Sequence, residues 1–308
     1  MKKIISTFLL SASLCITFNS KAAAAATDLP VLAFKEDCQK TVQNQNLLKK
    51  LPAQYYLSEG ILCSESNSFQ KTIALLNKSA SYNYSPANYA LAVYYENKYE
   101  NGNFLYGSKG QPSDLISAIN NYKKVAAEGS VLAENRLGEI YLAEAVLPIE
   151  DRAPRDIANY KAPIMLPDID KAVYWLTKAA QDGDPSAQGT LGELYKQGIG
   201  VAQNLVQAYA WQSIAVTSQT RFNPDFTNNA IPGDFLKVNQ DERDKLYTKL
   251  TAQQKNEAQK LVEQYSVQYI KAPNKLDIFC RNTEKMILLP GILKNLKTIA
   301  DSIPASSQ

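Results

Sequence analysis

The chain has 308 residues, 45% of them hydrophobic, with 33 basic and 30 acidic side chains and no histidine. Without histidine the commonest general base and metal ligand is missing, which removes Ser-His-Asp and Cys-His catalytic sets and most zinc sites. A near-neutral balance without a basic run gives no electrostatic footprint for nucleic acid and disfavours anionic lipid surfaces.

At the N-terminus, Lys2 and Lys3 precede an apolar run from Ile4 to Phe18, and the alanine tract Ala22 to Ala26 offers several small-x-small cleavage sites. That layout predicts a secretory signal over 1–26, and the run is short for a membrane span. Leu14 before Cys15 is large where a lipoprotein signal needs a small residue. The mature chain is therefore expected to start near Ala25 to Thr27, without membrane insertion, in the periplasm or outside the cell. Losing Lys2, Lys3 and Lys21 with the leader brings the 33 basic residues level with the 30 acidic ones.

Residues 27–68 read as an N-terminal helical cap. Cys38 and Cys63 fall in it, and in an oxidising compartment they are predicted to form a disulfide. Such a bond closes a loop of about 26 residues, worth roughly 3.5 kcal/mol on the chain-entropy picture. Cys280 is left buried or linked to one of the other two.

Residues 69–218 repeat a short grammar. Its first opening is Ala87, Leu91, Ala92 and Tyr95, after a closing with Lys78 and Ala80. Next come Tyr122, Ala126, Ala127 and Gly129, followed by Ala133, Leu137, Gly138 and Tyr141. The third copy has Trp175, Ala179, Ala180 and Gly183, then Ala187, Leu191, Gly192 and Tyr195, and continues through Gly198, Gly200, Ala208 and Trp211. Glycines after Tyr195 end one helix and start a tight turn, because glycine enters the left-handed backbone region cheaply. Small residues let paired helices approach, and Tyr95, Tyr141, Tyr195, Trp175 and Trp211 are expected to fill the seams. Insertions interrupt the first two copies at 96–114 and 142–168. The first is glycine-rich and reads as a loop from Lys98 to Asp114. The second holds four prolines between Leu147 and Asp168, which rule out a continuous helix.

Residues 219–308 read as a linker and C-terminal helical cap. Leu246, Leu250, Leu261, Val262 and Tyr265 space out as on an amphipathic helix pair, and Thr251 with Gln254 predicts a capping box. The expected fold is all-α, an α-solenoid of antiparallel helix hairpins with helical caps at both ends, since one hairpin cannot bury both faces alone.

The phrase A-x-x-x-L-G-x-x-Y-x-x-G-x-G-V, an Ala-x-x-Trp helix and a Lys-Ala-Ala-x-x-Gly closure together resemble the Sel-1-like repeat, a relative of the tetratricopeptide repeat. The third copy matches nearly throughout, apart from Asn204 where that family usually carries aspartate. A second likeness lies in Arg243, Asp244, Leu246, Leu250, Thr251, Gln254, Glu257, Ala258, Gln259 and Leu261, which match the family's usual C-terminal arrangement. Cysteine-rich members carry a disulfide pair in each repeat, but no cysteine lies between Cys63 and Cys280 here.

No catalytic, cofactor or metal residues are expected. Glu139 and Glu193 hold equivalent positions, and a solvated helix face is the expectation for both. The glycines around Gly198 follow a helix, so they form no phosphate-cradling loop. Eighteen tyrosines against nine phenylalanines point to amphipathic aromatic surface of the kind enriched at interface hot spots. Tyr89, Tyr94, Asn135 and Gln188, between the packing positions of the first helices, are expected to line a concave partner surface. Phe104 and Tyr106 in the first insertion, with Tyr160, Ile164 and Met165 in the second, are the other candidate partner contacts. The resemblance implies protein–protein interaction in the bacterial envelope, as an immunity protein against a periplasm-delivered toxin or an envelope adaptor. The alternative is a binder of cell-wall glycan or a small ligand, or an envelope hydrolase.

Overall fold

The structure is a computed structural model that describes residues 43, 45–50, 52–64, 69–105, 111–146, 168–222, 235–281 and 283. The readings made for the secretory signal, Cys38, Tyr106, Tyr160, Ile164 and Met165 lie outside these residues, as do those for the side chains of Cys63 and Phe104. All regular structure among the described residues is helical: α1 (Gln45–Lys50), α2 (Pro52–Ser64), α3 (Phe69–Ala80), α4 (Ser85–Leu105), α5 (Pro112–Ala127), α6 (Val131–Val146), α7 (Ile169–Gln181), α8 (Pro185–Gln197), α9 (Leu205–Phe222), α10 (Phe235–Lys249) and α11 (Ala252–Tyr269), with a further short helix over 275–281. They fall into two compact units that divide between Glu128 and Gly129, the second ending at Asp277 while 278–283 belong to the first.

The first unit holds two hairpins, α2 with α3 and α4 with α5. In α2, a Cβ added to Gly60 would lie 2.8 Å from Leu76 Cδ2 on α3, so these helices meet at a small residue as the later hairpins do. The left-handed turn into α4 is made by Asn83 (φ 55°), one of the few non-glycine residues that tolerate it. Ala87, Ala90 and Ala92 let α4 pack against its neighbours, and the Tyr89 ring meets Tyr122 of α5 edge-on, 5.5 Å between centroids. The Tyr122 hydroxyl donates to the buried Glu96 carboxylate at 2.7 Å, which satisfies both polar groups inside the unit. Helix α5 starts at Pro112. The carboxylate of Asp114 accepts the Gln111 backbone N–H at 2.8 Å, and Lys98 of α4 donates to the same side chain at 3.0 Å. The residues from Lys98 to Asp114 do not begin as a loop, because α4 continues through Leu105: more than four glycine-free turns precede Gly102, and helix packing outweighs one interior glycine.

The second unit holds the hairpins α6 with α7 and α8 with α9, and α10 and α11 both pack on α9. Gly198 (φ 72°) ends α8 in the left-handed conformation and Gly200 (φ 68°) completes the turn. Asn204 then caps α9: its Oδ1 accepts the N–H groups of Val206 and Gln207, both at 3.0 Å. An N-cap asparagine serves as well as aspartate, so this departure from the repeat pattern costs the helix little. Leu176, Ala179, Ala180, Ala187, Leu191, Leu194, Ala210, Trp211 and Ile214 form the core with Tyr265 of α11. The Trp211 ring lies 4.7 Å from Tyr265 and 5.4 Å from Tyr269, so α11 covers the last hairpin with aromatic surface. The predicted capping box starts α11, with Gln254 N donating to Thr251 Oγ1 at 3.3 Å and Thr251 N to Gln254 Oε1 at 3.0 Å. Beyond α11 the chain returns to the start of α6, where buried Asp277 accepts from Ser130 Oγ at 2.7 Å and Leu132 N at 3.2 Å. An acidic side chain at a helix N-terminus satisfies orphan N–H groups and complements the dipole.

Candidate functional site

The four positions expected to line a concave surface are interior. Tyr89 and Gln188 are fully buried, and Tyr94 and Asn135 nearly so. For Tyr89, Tyr94 and Gln188 the reason is that their helices are covered on two sides: α4 packs on both α3 and α5, and α8 on both α7 and α9. Gln188 uses its amide to donate to Ala180 O at 3.1 Å and Tyr269 O at 3.0 Å, tying three elements together. Asn135 donates to Glu139 at 3.0 Å. Of the seam-filling rings, Tyr141 and Trp211 are buried, while Tyr95, Tyr195 and Trp175 are half-buried.

Glu139 and Glu193 are engaged separately. Glu139 is half-buried and takes Arg136 at 2.8 Å. Glu193 is buried rather than solvated, taking Lys196 at 2.9 Å and Gln197. Lys196 also reaches Glu242 of α10 at 2.5 Å, and Lys245 meets Glu242 at 2.9 Å. Partial burial alone would raise the Glu242 carboxyl, but the two ammonium hydrogen bonds outweigh it and hold the group below the ordinary carboxylate range. Glu134, on α6, is almost wholly buried and accepts from Lys178 of α7. Burial dominates there and raises its pKa despite the lysine. Glu134 and Glu242 pair with lysines of another helix, which fastens α6 to α7 and α8 to α10, whereas the partners of Glu139 and Glu193 lie on their own helices. Among the described residues no group of three or more His, Cys, Asp or Glu is placed to hold a metal ion, and no helix is long and apolar enough to cross a membrane.

Two surfaces of the second unit present side chains outward. The first is on α7, whose stripe of Ala172, Leu176, Ala179 and Ala180 faces the core and whose opposite face carries Lys171, Tyr174, Lys178 and Gln181. The lysines have local partners: Lys171 pairs with Asp168 and sits 5.6 Å over the Tyr141 ring, and Lys178 pairs with Glu134. Tyr174 is 59% exposed and stands edge-on to half-buried Trp175, 5.1 Å between centroids. A rigid aromatic pair framed by charges already paired is the composition of an interface anchor. The sequence reading took Trp175 as a seam residue and passed over Tyr174, although the i, i+3, i+7 run of Lys171, Tyr174 and Lys178 marks the outward face.

The second surface is an open groove of about 570 Å³, lined by Tyr209, Ser213 and Thr217 of α9, Arg243, Asp244, Tyr247 and Thr248 of α10, and Gln259 and Val262 of α11. The Tyr209 and Tyr247 rings are tilted at 38°, 5.5 Å apart, and Tyr247 is 45% exposed. Arg243 and Asp244 are ion-paired at 2.8 Å. No signal in the one-dimensional pattern gathers these residues, because α9 and the α10–α11 pair that contribute them are separated by a long connection.

The Sel1 repeat profile matches residues 85–130, 163–184 and 185–215. An uncharacterized protein of Neisseria meningitidis serogroup B is 28% identical over 151 residues, covering 49% of this chain and 25% of that protein. Among solved structures, a protective antigen of uropathogenic Escherichia coli displaying an SLR fold is 25% identical with a TM-score of 0.47, over 69% of this chain and 35% of that one. A Sel1 repeat protein from Oxalobacter formigenes is 15% identical with a TM-score of 0.39, over 82% of this chain and 96% of that one. The chain thus spans about a quarter of the curated relative and about a third of the antigen. The matched segments fall on the hairpin α4–α5, on α7 and on the hairpin α8–α9, so this chain carries Sel1 repeats.

Proposed function

We propose that this chain is an exported, non-catalytic binding protein whose α7 face, centred on Tyr174 and Trp175, grips another protein in the periplasm or outside the cell. Sel1 repeats generally mediate protein–protein interaction. The observation that carries the reading is Tyr174 itself, a large side chain held edge-on to Trp175 and left 59% exposed while the neighbouring charges pair locally. The N-terminal Lys2–Lys3, apolar run and alanine tract support export. Within the envelope such a module suits an adaptor or an immunity protein that covers a toxin's active surface.

The test is capture from a periplasmic fraction of the native host with the tagged mature chain. One stoichiometric protein partner, lost with Tyr174→Ala, supports the reading. Recovery of nothing at micromolar protein, or a partner held equally by the variant, contradicts it.

A further inference from the structure

The groove between α9, α10 and α11 has a chemistry distinct from that of the α7 face. Its charges cancel internally, because Arg243 Nε donates to Asp244 Oδ1 at 2.9 Å and Nη2 approaches the same oxygen at 2.8 Å. A cationic ligand would compete with Arg243 and with Lys255, whose ammonium sits 4.5 Å over the Tyr247 ring. An anionic one would meet Asp244, whose side chain is two-thirds exposed. Ligands of either net charge are therefore disfavoured.

The remaining lining is hydroxyl, amide and aromatic. Ser213 donates to Tyr209 O at 2.7 Å, Thr217 to Ser213 O at 3.0 Å and Thr248 to Lys245 O at 2.8 Å. Each hydroxyl thus spends its proton on its own helix and retains lone pairs that accept from a ligand. Arg243 and Gln259 supply donors, and Asp244 and Gln259 further acceptors. Val262 is the single aliphatic side chain in the lining, so the groove offers little surface to the aliphatic side chains of a peptide. Its volume of about 570 Å³ is that of a small-ligand cleft. The stripe Tyr209, Ser213, Thr217 advances by one residue per helical turn and so runs along the groove for roughly 12 Å.

We infer that this groove binds a neutral, hydroxyl-rich oligosaccharide segment, with Tyr247 and Tyr209 packing on sugar C–H faces and the polar rim exchanging hydrogen bonds with the hydroxyls. This site is independent of the protein-binding reading for α7. Neutral sugars fit each element at once: no net charge, many groups that both donate and accept, and flat C–H faces that aromatic rings cover.

The test is calorimetric titration of the mature chain with maltotetraose, cellotetraose and chitotetraose, and with an acidic tetragalacturonate and an unstructured neutral decapeptide as comparators. Saturable binding of at least one neutral tetrasaccharide is expected, weakened about tenfold by Tyr247→Ala and less by Tyr247→Phe, which keeps the ring. Gln259→Ala, at an exposed position, gives a second weakened variant whose folding is not at risk. The inference is overturned by any of three results: no neutral sugar binding up to about 10 mM, tighter binding of the acidic sugar or the peptide, or binding indifferent to both variants. Tyr174→Ala leaves sugar binding intact, so failure of protein capture and failure of sugar binding are separately visible.

Discussion

Gly138 on α6 and Leu176 on α7 meet so closely that a Cβ on the glycine would lie 2.6 Å from the leucine Cγ and 3.0 Å from its backbone nitrogen. The next hairpin repeats the relation: a Cβ on Gly192 of α8 would lie 2.9 Å from Gln212 Cγ and 3.2 Å from Ala208 O on α9. In each case the glycine faces the residue directly after the seam tryptophan, Trp175 or Trp211. Glycine to alanine at an ordinary helix position gains about 1 kcal/mol. Here the backbone contacts prevent easy relief, so Gly138→Ala and Gly192→Ala are each expected to destabilise by about 1–3 kcal/mol, read as a lower urea midpoint. An alanine that stabilises either site would mean the paired helices are not in contact there.

The repeat periodicity was legible because it is local. Leu191, Gly192 and Tyr195 sit on one helix, and the turn glycines Gly198 and Gly200 have one affordable conformation. Burial was harder to read. Tyr89 turns into the α4–α5 seam and Gln188 toward α7 and α11, and helical spacing alone does not show that α4 and α8 are covered on a second side. Tyr174 was masked by its neighbour Trp175, and the groove by the distance in sequence between α9 and the α10–α11 pair.

The capping box at α11 offers a local test. Thr251→Ala removes the acceptor for Gln254 N and leaves that donor to water, with an expected loss of about 1 kcal/mol. Faster amide exchange confined to the first turn of α11 is the accompanying signal, and unchanged exchange there would show that the cap contributes nothing.

Glu242 joins α8 to α10 through Lys196, and its carboxyl is held below its ordinary value of 4.5. A depressed acid contributes stability that is present above the unfolded pKa and is lost as pH falls through the folded one. The stabilisation should therefore be intact at neutral pH and fade below about pH 4.5. Because the group is only half-buried and its partner Lys245 is exposed, so that solvent screens the pairing, Glu242→Gln should cost only about 0.2–1 kcal/mol at pH 7 and flatten the acid limb of the stability profile. A variant whose acid limb matches the wild type would exclude this contribution.

Glu134 behaves oppositely. Its pKa is raised, first by burial, so folding disfavours the charged form and the wild type loses stability as pH rises from 4.5 through the folded value. Glu134→Gln retains an acceptor for Lys178 without the buried charge. Measured by chemical denaturation, its stability relative to wild type should improve steadily as pH rises from about 4.5 toward 7. A difference that is constant with pH would show that the carboxylate titrates alike in both states.

Tyr174→Ala removes a mainly exposed ring and should change stability by no more than about 0.5 kcal/mol, so loss of function in this variant reports on contact and not on folding.

The most direct measurement places a photo-crosslinking amino acid at position 174, and separately at exposed Tyr82 in the other unit, in the full-length protein expressed in its native host. The α7 reading predicts one discrete protein adduct from position 174, absent from position 82, formed in the periplasmic or extracellular fraction. No adduct from position 174, or the same adducts from both positions, would contradict it.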